Sequence, residues 1–196
     1  MTFQKLVAVF DARTDLPIEL PEIRDAIVAL GIQDDIVFVP EPMDPGQLKG
    51  FYYQYRQIKG VYGDSLWISL VVYTNLLPVP QQRLLACKEV IHVLDGAVEK
   101  VRTEEECEQL VTKLLGPMNT ETWDIADFRA WKDKVAAYQA MMVLLPEAAR
   151  QEGRKALAEK RLTVAQIAEV ACLPEDMVAF VLRDDWAEIK KDLLDC

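Results

Sequence analysis

Apolar positions along the chain follow two different periods. From Pro21, the residues Ile23, Ala26, Ile27 and Leu30 recur at helical spacing and stop at Gly31, which predicts a helix opened by proline and closed by glycine. Ile36, Val37, Phe38 and Val39 form a short β-branched and aromatic run before Pro40. Phe51, Tyr52, Tyr53 and Tyr55, and then Leu66, Ile68, Val71, Val72 and Tyr73, form two longer runs, so three strands are expected. Lys59, Gly60, Gly63 and Asp64 make the link between the last two rich in turn residues. A small, mostly antiparallel sheet of about three strands is the expectation.

After Pro78 and Pro80 the period changes. Leu84, Leu85, Val90, Ile91 and Leu94 recur at helical spacing and predict a helix over 81–94. Thr103 and Glu106 form a capping box, Glu104 and Glu105 suit the positive end of a helix dipole, and Gly116 closes the run, so a helix over about 104–115 follows. Residues 124–145 are apolar on one face and end at Pro146, which predicts one long helix, with a break near its start left open. Thr163 with Gln166, and Pro174 with Glu175 and Asp176, open two short helices joined at Cys172 and Leu173. Trp186, Ile189 and Leu193 predict a last helix that docks on the domain or meets a partner. The fold class is therefore α+β, with one domain over 1–183, a closing helix pair over 162–182, and an acidic helix or tail over 184–196.

The charge pattern narrows the functions. Net charge is -10, and residues 11–49 and 184–195 carry nine of the ten excess negative charges. An acidic surface repels phosphate, so a general nucleic-acid binder is disfavoured. The one basic cluster, Arg150, Arg154, Lys155, Lys160 and Arg161, is expected to be a solvated helix face. The apolar run from Leu6 to Phe10 is cut off by Asp11 and Arg13 with no signal-peptide cleavage pattern after it, and no stretch reaches the roughly 18 apolar residues of a membrane span. Cys87, Cys107, Cys172 and Cys196 lie far apart without a CxxC pair, as expected of reduced thiols in a cytoplasm, and Cys87 is expected to be a buried apolar residue.

The chemistry concentrates in the helix over 81–94. Lys88, Glu89 and His92 stand as a zinc-peptidase HExxH motif with its first histidine replaced by lysine, and His92 is the chain's one histidine. Residues i and i+4 of a helix share a face, so two histidines at that spacing grip one zinc while the following glutamate sits beside the metal-bound water as general base. A lysine in the first place brings a positive charge where the cation belongs, which weakens zinc binding.

With its surroundings, this helix resembles that of the ImmA/IrrE family of zinc metallopeptidases. Leu84, Leu85, Glu89, Val90 and His92 look like the family's zinc helix. Asp133, Ala136, Tyr138, Ala140, Leu144 and Pro146 are similar in spacing to its second signature, with Asp133 at the acidic third-ligand position. The helix pair over 162–182 looks like the family's ending, and the likeness runs over about 21–182. The resemblance implies a zincin-like fold, vestigial metal positions at His92 and Asp133 with Lys88 at the remaining one, and Glu89 at an inactive general-base position. If these residues converge, the Lys88 ammonium is expected to pair with Glu89 or Asp133 and to replace the metal as the neutralising charge.

The function so implied is that of a pseudopeptidase acting by protein–protein binding, with a helix-turn-helix transcription regulator as partner in a phage, mobile-element or stress context. No cofactor is expected on that reading. An active zinc metallopeptidase cleaving a repressor is the alternative, and zinc is expected only there. A DNA-binding accessory protein using the 162–182 helices is a second alternative, disfavoured because Glu175 and Asp176 open the would-be recognition helix. The outward half of the 51–55 aromatic run is expected to line a peptide groove along a sheet edge.

Overall fold

The computed structural model describes residues 2–58, 65–116 and 124–194. The turn-rich link at 59–64 lies outside the described residues, as does Cys196. The element order is α1 (Thr2–Phe10), α2 (Leu20–Ala29), β1 (Asp35–Glu41), β2 (Gly50–Ile58), β3 (Ser65–Thr74), α3 (Val79–Ile91), a 3₁₀ turn (His92–Leu94), α4 (Glu104–Leu115), α5 (Ile125–Leu144), α6 (Glu147–Ala158), α7 (Val164–Ala171), α8 (Glu175–Val181) and α9 (Trp186–Leu194). This is an α+β chain with a small sheet, as the periodicity predicts.

The sheet differs from expectation in one respect. Its order is β1-β3-β2, with β2 antiparallel to β3 but β1 parallel to it, so the sheet is mixed rather than mostly antiparallel. Strand β3 takes the centre because it is the most continuously apolar of the three, with Ile68, Val71 and Val72 all buried. The first and second strands then occupy opposite edges. Polar groups buried in the sheet are paired: Gln54 Nε2 and Ser69 Oγ both donate to Asp34 Oδ2, at 2.5 and 2.6 Å, and Gln54 Oε1 accepts from Arg102 Nε at 2.8 Å.

At α4, α5 and α7 side chains satisfy the free backbone N–H groups of the first turn. Thr103 and Glu106 cap α4 reciprocally, and Thr163 and Gln166 do the same for α7. Helix α5 gains a capping box from Asp124 and Asp127 and then runs 20 residues without a break. Gly31 follows α2 at φ +97°, a conformation that a Cβ would disfavour.

One helix has no counterpart in the sequence reading. Residues 2–10 form α1, whose Leu6, Val7 and Phe10 are buried in the main core with Ile23, Ile27, Val90, Met141 and Leu144. Helix α9 closes over the same region: Trp186 and Leu193 are buried, Gln139 Nε2 donates to Leu193 O at 3.0 Å, and Gln4 Nε2 donates to Leu194 O at 2.9 Å. The last helix is thus docked on the rest of the chain. The basic cluster is solvated at Lys155, Lys160 and Arg161, as expected, and departs from that reading at Arg150. Arg150 is 2 % exposed and donates to Val181 O at 3.2 Å, because its stem lies on the inner face of α6, while Arg154 pairs with Asp184 and Arg161 with Glu159.

Core placement of α1 makes a direct prediction. Leu6→Ala should cost about 2–5 kcal/mol in urea unfolding. Val9→Ala, at a residue 52 % exposed, should change stability by less than about 0.5 kcal/mol. Equally small effects at both positions would contradict the docking of α1.

Candidate functional site

Helix α3 lies against the sheet and against α5; its last turn carries Lys88 and Glu89 inward, and the 3₁₀ turn that follows carries His92. Lys88 is 9 % exposed and Glu89 1 % exposed. Asp133 comes from the middle of α5, which crosses α3 at this point. The three residues expected to converge, Glu89, His92 and Asp133, do so: one ligand-type atom from each lies within 4.8 Å of the others.

Lys88 is the centre of the hydrogen bonding. Its Nζ donates to Glu89 Oε1 at 2.7 Å and also to Asp133 Oδ1. His92 Nε2 stands 3.7 Å from that same Asp133 oxygen, and on its other side His92 Nδ1 is hydrogen-bonded to Asp95 Oδ2 at 2.7 Å. Lys132 Nζ extends the row, donating to Asp95 Oδ1 and Glu99 Oε2 at 3.0 Å each. From Glu99 through Lys132, Asp95, His92, Asp133 and Lys88 to Glu89, each side chain neighbours one of opposite charge type. Asp95, Glu99 and Lys132 were absent from the sequence reading. The spacing of Asp95 three residues after His92 is a legible signal, but Glu99 and Lys132 join only through the fold.

The electrostatics follow from burial against partners. Burial opposes the charge on Lys88, but Glu89 and Asp133 outweigh it and hold its pKa above the usual lysine value. Burial likewise opposes ionisation of Asp133, yet the Lys88 ammonium and the His92 ring hold it down to about 2. For Glu89 burial wins and pushes the carboxyl up. His92 is pushed up to about 9: burial works against the imidazolium, and the nearby Asp133 carboxylate together with the hydrogen-bonded Asp95 overcomes it. Burial raises the pKa of the Cys87 thiol, which is fully buried, in keeping with an inert core residue.

A small cavity of about 30 Å³ lies beside the row, with space for little more than a water molecule. Glu89, His92, Asp95 and Asp133 line its polar end; Phe51 and Tyr52 of β2 and Leu110, Val111 and Leu114 of α4 line the rest. Glu89 Oε2 and His92 Nε2 are buried without a hydrogen-bond partner among the described residues. Of the aromatic run, Tyr52 is buried at the cavity, whereas Phe51, Tyr53 and Tyr55 are half-buried.

A zinc ion does not fit this arrangement. Zinc takes deprotonated ligands with a free lone pair, and here the ligand oxygen of Asp133 accepts a hydrogen bond from an ammonium. The first ligand place is a cation instead of an imidazole. What the row can do is fix two helices and the 92–99 segment in one charge-neutralised cluster.

Elsewhere, the α7–α8 pair turns Val178, Val181 and Leu182 into the core and leaves Glu175 and Asp176 exposed at the start of α8. No described helix is long and apolar enough to cross a membrane. Comparison of the chain with protein-family models, with curated proteins and with solved structures finds no match.

Because His92 is the chain's one histidine, its titration can be followed directly by proton NMR of the imidazole. The expected midpoint is near 9, falling towards the ordinary 6.5 in Asp95→Asn. A raised pKa stabilises the fold fully below about pH 6.5, and that contribution, on the order of 3 kcal/mol, is lost as pH rises through about 9. A midpoint at or below 6.5 in the unaltered chain would contradict the row of ion pairs.

Proposed function

We propose that this chain is a degenerate relative of the ImmA/IrrE-like metallopeptidases and acts by binding a protein, a helix-turn-helix transcription regulator, without cleaving it. The observation that carries this reading is the Lys88 ammonium bonded to both Glu89 and Asp133, which puts a fixed cation among the residues a peptidase would use for metal and water. The zincin-like assignment rests on the order of the zinc-helix pattern, the Asp133 signature and the closing helix pair.

Two further features favour a protein as the ligand. Strand β2 is a sheet edge, and Gln54 N donates outward to Val101 O at 3.1 Å. By the two-residue period of a strand, Gly50 and Tyr52 present their backbone groups on that same outer side, and both line the cavity beside Glu89 and His92. Gly50 and Tyr52 are buried beneath α4, so an extended segment adds to β2 next to the cluster only once α4 moves aside. The net charge of -10 also complements the basic surface that a DNA-binding regulator carries.

An active zinc peptidase using Glu89, His92 and Asp133 is the second reading, favoured by the two unpartnered atoms, Glu89 Oε2 and His92 Nε2, at one cavity. The two readings separate in one experiment. The purified chain is mixed with regulators encoded beside its gene, and the mixtures are resolved by size-exclusion chromatography and intact-mass spectrometry. The binder reading expects one regulator to co-elute uncleaved. Cleavage that stops with a chelator would establish the peptidase instead, and failure of every regulator to co-elute would count against the proposed partner.

A further inference from the structure

Three observations meet at Lys88. Its buried Nζ touches two of the three residues whose ligand-type atoms lie within 4.8 Å, bonding Oε1 of Glu89 at 2.7 Å and Oδ1 of Asp133. Strand β2 packs closely on Glu89. A Cβ built on Gly50 would stand 2.9 Å from Val72 O and 3.1 Å from Glu89 Oε1, so β2 fits down on the carboxylate only because residue 50 lacks a side chain. The helical register between positions 88 and 92 is also intact. Although regular α-helix ends at Ile91, Ile91 (φ −61°, ψ −33°) and His92 (φ −62°, ψ −15°) keep right-handed helical angles, so the two positions share a face.

We infer that the Lys88 ammonium is a tethered stand-in for a metal ion: it supplies from within the chain the positive charge on which Glu89 and Asp133 converge. Position 88 alone then separates this chain from a three-ligand zinc site. The carboxylates are already drawn together, His92 already presents Nε2 without a partner, and the backbone already places residue 88 one helical turn before His92. An ordinary structural ion pair would differ in its consequences. It would leave the pocket no better shaped for zinc once the lysine is replaced by a ligand. The inference does not depend on which protein the chain binds.

The test uses the full chain as wild type, Lys88→His, Lys88→Met, and Lys88→His combined with Asp133→Asn. Zinc affinity is measured by isothermal titration calorimetry, ligand geometry by the visible spectrum of added cobalt(II), and stability by melting temperature. Wild type is expected to show no zinc-dependent shift in melting temperature. Lys88→Met strands two neighbouring carboxylates and should lower the melting temperature by about 10 °C. Lys88→His should bind zinc more than about 100-fold tighter than wild type, a gain beyond what outer-shell changes give. It should also melt higher with zinc than without and give a four-coordinate cobalt(II) spectrum that Asp133→Asn abolishes.

Should Lys88→His fold only when zinc is supplied, that result supports the inference equally. A Lys88→His variant that folds and binds zinc no better than wild type overturns it, as does one that fails to fold even with zinc while Lys88→Met folds. A Lys88→Met chain as stable as wild type also overturns it. Those outcomes leave regulator binding standing, whereas tight zinc binding by the wild type would overturn the stand-in and the binder reading together.

Discussion

The bridge from Lys88 to Glu89 and Asp133 is the contact on which the surrounding structure depends. It joins α3 to α5, the two helices against which the sheet and α4 are arranged, and it does so with charges buried on both sides. Removing one partner of a buried ion pair leaves an uncompensated charge and costs about 3–5 kcal/mol, although the intact pair contributes much less. The bridge therefore acts as a constraint on which residues can stand at 88, 89 and 133 more than as a source of stability. Gly50 belongs to the same constraint, because the backbone of β2 reaches the Glu89 carboxylate only where no Cβ intervenes.

Around that bridge the charges extend in one row to Glu99, and the order has a functional consequence. Asp95 and Lys132 lie on the far side of His92 and fix its ring through Nδ1, leaving Nε2 towards the cavity. A ring so held is a hydrogen-bond donor in a pocket with little more space than one water needs, beside an unpartnered carboxylate oxygen. The site is polar and preformed, and β2 beside it is buried at Gly50, Tyr52 and Gln54. Helix α4, none of whose residues is fully buried, roofs it with Leu110, Val111 and Leu114 and is tied down by ion pairs from Glu106 to Arg129 and from Lys113 to Asp127. A partner adding to β2 next to the cluster meets this helix first.

Much of the fold was legible in local patterns. The capping boxes at Thr103 and Thr163 mark the starts of α4 and α7 because their reciprocal hydrogen bonds need no tertiary partner, and the three apolar runs became the three strands. The parallel pairing of β1 was not legible, since strand neighbours are decided by which run is buried on both faces. Helix α1 was missed because nine residues without a cap or a breaker carry little signal, and burial of Leu6, Val7 and Phe10 is what makes them a helix. In the site, the spacing from Lys88 to His92 and the position of Asp133 were visible in sequence. Glu99 and Lys132 were not, because they meet Asp95 only after α5 folds back along the 92–99 segment.

On the proposed reading an ammonium, and no metal, neutralises Glu89 and Asp133. A crystal structure of the protein purified without chelator, with diffraction recorded on both sides of the zinc absorption edge, tests it most directly. No anomalous peak is expected at the cluster, and continuous density for Lys88 should reach both carboxylates. An anomalous peak held by His92 and Asp133, with Lys88 turned away from them, would contradict it.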